Sequence, residues 1–144
     1  MASDTITNFI LPTNTVMAWV KTKLEGYGDW DVSQFDQVEQ SQVFKYIEGL
    51  RPPFAFSIYT GSRYQPENVS QRRLGTFAVV VGAKSLSNQN TAGTSCHNLL
   101  DKAISLLDHE INGDLFCVVV GDKVLAYENS GIVALEVNFE FRDH

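Results

Sequence analysis

The chain has 144 residues, 44% hydrophobic and 19% charged, with a net charge of −6. That length suits one domain with its own core, and the apolar content excludes a wholly disordered chain. No segment reaches the roughly 18 apolar residues of a membrane span, and an acidic chain without a basic tract is poorly suited to gripping nucleic-acid phosphates or an anionic membrane surface.

The opening residues, MASDTITNFILP, hold an acid at Asp4, no basic residue and only a short apolar stretch. This is not the pattern of a signal peptide, so the soluble interior of a cell is the expected location. A helix is expected from about Thr15 to Glu25. Asn14 or Thr15 can cap it, Val16, Val20 and Leu24 recur at helical spacing, and Gly26 and Gly28 permit a stop. Residues 26–50 are polar and acidic with scattered aromatics; a strand is expected only near Gln42–Ile47, before Pro52-Pro53 closes the region.

From Phe54 the spacing predicts sheet. Phe54, Phe56 and Ile58 alternate with Ala55, Ser57 and Tyr59, the period of a strand with one face turned inward. Residues 61–75, GSRYQPENVSQRRLG, read as a long polar connection, and loops of that length are usually functional or disordered. The Asn68-Val69-Ser70 triplet within it reads as surface loop rather than a glycan site. Thr76–Val81 is apolar without alternation, as in a central strand covered on both faces.

A second polar connection near 85–93 leads to the clearest helix. Thr94 or Ser95 can cap it, Cys96, Leu99, Leu100, Ala103, Ile104, Leu107 and Ile111 mark its apolar stripe, and Asn112-Gly113 should stop it. A meander follows: strand Leu115–Val120, a tight turn at Gly121-Asp122, return strand Lys123–Tyr127, and a turn at 128–131. In the closing strand Val133, Leu135, Val137, Phe139 and Phe141 point one way, while Ala134, Glu136, Asn138 and Glu140 point toward water or a polar partner. The sum is an α+β fold over residues 1–144 in one domain: two helices packed on one face of a mostly antiparallel, curved sheet of about five strands.

Catalytic chemistry is hard to find. No glycine-rich phosphate loop is present, and His97 and His109 sit too far out of phase on one helix to converge on an ion. Asp29, Asp31 and Asp36 lack the glycine and glutamate of a calcium loop. Cys96 and Cys117 cannot build a disulfide framework and read as small core residues. Glu136 and Glu140 lie too far apart on one strand to share a proton, and read as a solvated face. No catalytic residue, metal or cofactor is assigned.

Charge instead suggests a surface for partners. Residues 25–48 carry six acids against Lys45, and residues 101–144 carry nine acids against three bases. Between them Arg51, Arg63, Arg72, Arg73 and Lys84 face Glu67 alone. Arginine beside aromatic side chains is a frequent interface anchor, which singles out Arg63, Tyr64, Arg72 and Arg73. The acidic segment with Trp30, Phe35 and Asp36 is a candidate complement, and Glu136 and Glu140 lie on an outward face open to a neighbour.

The order of landmarks resembles the tail-terminator family of tailed bacteriophages, most closely the small conserved tail structural protein of Mu-like phages and prophages. The helix VMAWVKTKL precedes an acidic stretch, the proline-led strand PPFAFSIYTG, a polar connection into RLGTFAVVVGAKS, TAG before CHNLLDKAISLLD, and the closing GIVALEVNFEF. The resemblance runs from about Ile10 to Phe141, although region 26–50 does not align with the family pattern. It implies a structural virion protein, without enzymatic activity, that forms a homohexameric ring at the head-proximal end of the tail. Such a ring would be assembled in the host cytoplasm, cap the tail tube protein, stop its polymerisation and meet the head-completion or connector proteins. In contractile tails it would also meet the sheath protein; genomic DNA would pass its lumen without specific binding, and no membrane is involved. The rival readings are a head-to-tail connector or other tail subunit, a monomeric or dimeric bacterial adaptor module, and a small hydrolase, which would need a deep pocket of converging polar groups.

Overall fold

In the computed structural model, which describes residues 13–35, 47, 49–66, 71–84, 89–112, 115–125 and 132–143, the chain alternates between two helices and six strands. Helix α1 (Thr13–Glu25) is followed by β1 (Asp31–Phe35), β2 (Phe54–Pro66) and β3 (Gln71–Lys84). Helix α2 (Gln89–Leu107) then leads to β4 (Ile111–Asn112), β5 (Leu115–Leu125) and β6 (Ile132–Asp143). The strands form one sheet in the order β1-β2-β3-β6-β5-β4, with β1–β2 parallel and every other pair antiparallel. The expected α+β arrangement is present, the two-residue β4 being an addition at one edge.

Both helices lie on one face because both carry a single apolar stripe. Val16, Met17, Val20 and Leu24 of α1, with Cys96, Leu99, Ala103 and Leu107 of α2, join Phe77, Val79, Val81, Leu135, Val137, Phe139 and Phe141 in one core. The Phe77 and Phe139 rings stack at 5.1 Å and 11°, and Trp19 leans on Phe141 at 5.6 Å. A second, smaller core covers the opposite face: Phe54, Phe56, Ile58, Val80 and Ala134, with Ile47 and Leu50 packed onto it. The Phe77–Val81 part of β3 is thus buried on both faces, as its unbroken apolar run predicts. Gly82, paired with Phe54, is required here: a Cβ would collide with the Phe54 ring.

Several boundaries differ from the sequence reading. Helix α2 begins at Gln89 rather than near Thr94, since an apolar stripe marks where a helix is buried and not where it starts. It ends at Leu107, where His109 adopts φ 63° and Ile111 leaves the stripe to join β4. The turn expected at Gly121-Asp122 is a β-bulge within one continuous strand. Val119 pairs with Phe139 and Gly121 with Asn138, so Val120 is an extra residue that bends β5 without reversing it. Strand β1 was not expected from DVSQF, a short polar edge strand. The strand expected at Gln42–Ile47 lies outside the described residues except for Ile47, which is helical and buried.

Candidate interaction surface

Residues 61–66 and 71–75 of the polar stretch are not a loose connection but paired strands. Pairing of β2 with β3 continues from Gly61↔Thr76 through Tyr64↔Arg73 and Gln65↔Arg72 to Pro66↔Gln71. Pairing to the neighbouring strands ends earlier: with β1 at Phe35↔Ile58, where the described part of β1 ends, and with β6 at Thr76↔Glu140, although β6 itself runs on to Asp143 against β5. Among the described residues, therefore, the ribbon beyond Gly61 and Thr76 is paired to a third strand on neither outer edge. Five residue pairs at roughly 3.4 Å per residue make an arm about 17 Å long. A ribbon is held by main-chain hydrogen bonds, which polar residues make as well as apolar ones. Hence GSRYQPENVSQRRLG shows no period of two.

The base of the arm is pinned. A bulge separates Tyr59 from Gly61, whose φ of 124° is open only to glycine. The Thr60 hydroxyl donates to Thr76 Oγ1 at 2.9 Å, and Thr76 donates to the Gly61 carbonyl at 3.0 Å. Arg63, Tyr64, Arg72 and Arg73 all belong to this arm, so the structure brings these predicted residues onto one element.

A second surface lies along β5, and the sequence reading missed it. Strand β4 covers only Leu115 and Phe116. The cover is extended by His109 N–H donating to the Cys117 carbonyl, Cys117 N–H donating to the Glu110 carbonyl, and Val119 N–H donating to Asp108 Oδ1. Beyond it, among the described residues, Gly121–Leu125 pairs with β6 and with no strand on its other edge. Among the described residues the exposed large hydrophobics, Ile111 and Val120, lie on this rim at 53% and 49% exposure. Residues 108–122 hold Asp108, Glu110, Asp114 and Asp122 and no lysine or arginine, although Lys23 of α1 reaches Glu110 at 2.8 Å and Lys123 follows directly. The available signal was Val120, the odd residue in an apolar run that ends in glycine.

Three of the predicted interface residues are placed elsewhere. Trp30 is 7% exposed and not an interface anchor: its indole N–H donates to the Leu24 carbonyl at 2.7 Å, closing the end of α1, and Tyr27 packs edge-on against it. Glu136 and Glu140 are 6% and 5% exposed, which corrects the solvated-face reading. Glu136 is compensated by Lys123 Nζ and by the Asn138 amide, both at 3.3 Å from Oε2. Alternation identified which way these carboxylates point, and the second core then encloses much of that face. Phe35 ends β1, and Asp36 lies outside the described residues.

The remaining chemistry is sparse. A groove of about 340 Å³ is bordered by Tyr27, Asp29, Pro52, Lys84, Ser95 and Asn98, without a nucleophile paired to a base. Among the described residues no cluster of three or more His, Cys, Asp or Glu could hold a metal ion, and no helix is long and apolar enough to cross a membrane. Both cysteines are free and buried. Burial pushes the Cys96 thiol up to about 11, and burial together with the charges of Asp108 and Glu110 raises Cys117 further. Neither thiol is therefore a ready nucleophile. No family model matches this chain, and no curated protein matches it.

Proposed function

We propose that this chain is a structural subunit of a phage tail: a terminator that closes into a ring, caps the tail tube, ends its polymerisation and joins it to the head-completion proteins. The carrying observation is the presence, on one subunit, of two unlike open-edged surfaces, the basic β2–β3 arm and the acidic β5 rim. A closed ring requires such a heterologous pair, one patch meeting a different patch on the next copy. Opposite charge on the two patches would set orientation and register more than affinity.

The resemblance in landmark order supplies the phage context and the expected ring of six. The net charge of −6 suits a lumen through which DNA slides, because few cations would be available to replace its counterions. The chemistry proposed is association, with no bond made or broken. The reading is tested by adding the purified chain to polymerising tail tubes. A terminator stops growth and leaves one added ring at the tube end; continued growth, or stacks of this chain, would favour a connector or tube-like subunit instead.

A further inference from the structure

The ring reading leaves open how one copy holds the next, and the inference that follows rests on that reading. The geometry points to strand addition between copies: the free Gln71–Gly75 edge of the arm pairs with the free Gly121–Leu125 edge of β5 on a second copy of this chain, continuing one sheet across the subunit boundary. Both segments are five residues long and extended, and among the described residues each has one edge without strand pairing, that of the arm opening beyond its buried base at Gly75. Unpaired main-chain N–H and C=O groups along such edges are a template for another strand.

Charge selects the partner. The arm segment 61–75 carries Arg63, Arg72 and Arg73 against Glu67, whereas 108–125 carries four acids against Lys123, with Glu110 already paired to Lys23 at 2.8 Å and Asp122 left on the edge itself. A second copy brings both halves of this match, so the contact repeats around a closed ring. Lysine at a strand edge ordinarily guards it against pairing. Lys123 is drawn instead to its cross-strand partner Glu136 on β6, at 3.3 Å. The exposed Val120 and Ile111 border the same edge and would be covered by the incoming arm.

The test mixes two single variants, Arg73→Cys and Asp122→Cys, in the presence of tail tubes under mild oxidation. Because Cys96 and Cys117 are buried, background cross-linking is low. A disulfide-linked dimer that forms in the mixture and is lost when an exposed α1 position, Ala18→Cys, replaces either variant supports strand addition. Rings that assemble without that cross-link would overturn it while leaving the ring reading standing. A chain that forms no ring even with tubes removes both. Amide hydrogen exchange on the unmodified chain gives a second readout: assembly should slow exchange at 71–75 and 121–125 together, and unchanged exchange there in assembled rings would overturn the pairing.

Discussion

Lys123 on β5 reaches Glu136 on β6, its Nζ 3.3 Å from Oε2, and so neutralises a carboxylate whose side chain is only 8% exposed. The lysine is itself nearly half exposed, so solvent screening keeps the pair from its full buried strength. Removing it still strands a buried charge, with Asn138 at hand as a hydrogen-bond donor. Lys123→Met is expected to lower stability by about 1–2 kcal/mol in urea unfolding. Adding Glu136→Gln to that variant should recover part of the loss, because the stranded charge is then gone.

Gly82 and Phe54 form a second tight relationship, since a side chain at 82 would occupy the space of the Phe54 ring. That ring is fully buried and stacked on Phe56 at 5.9 Å, so it cannot swing aside. Gly82→Ala should cost about 1–3 kcal/mol through overpacking. Phe54→Leu makes room, and the double variant should lose less than the sum of the single losses. Strict additivity in thermal or denaturant unfolding would contradict the contact.

The buried thiols predict an alkaline limb of instability. Cys96 moves from its ordinary 9.0 to about 11 in the folded chain, and Cys117 moves the same way. The folded state thus holds these protons more tightly than the unfolded state. Their contribution is fully present below pH 9.0 and is lost as pH rises toward 11 for Cys96. For Cys96 alone the loss is on the order of 3 kcal/mol. Comparing urea midpoints at about pH 8 and about pH 10.5 should show the fall, and Cys96→Ala should shrink it.

How much of this was legible in the sequence depended on what each residue had to satisfy. Val16, Val20 and Leu24 declared α1, and the alternation from Val133 to Phe141 declared β6, because burial on one face imposes a period. The arm at 61–75 carried no period, since its strands are held by main-chain bonds. Val120 hid a bulge inside what looked like a strand and a turn. Trp30 looked like an interface anchor but serves the end of α1, a role set by a carbonyl six residues back that no spacing rule exposes. Glu136 was read correctly for direction and wrongly for exposure, because alternation is blind to Ile47 and Leu50 packing onto the same face.

Charge on the arm should govern assembly without governing folding. Arg72→Glu with Arg73→Glu reverses the sign of the arm without changing its length or its strand pairing partners. Thermal unfolding of the isolated chain should shift little, whereas sedimentation should show loss of the assembled species. Equal loss of both would mean that the arm is needed to build the subunit rather than to join subunits.

The proposed role requires that copies of this chain close on themselves. Native mass measured together with electron micrographs, on the chain alone and with purified tail tubes, tests this most directly. The expected result is a single closed ring, free or seated at one end of the tube. A chain that stays monomeric beside tube ends, with bare tubes in every image, would contradict it.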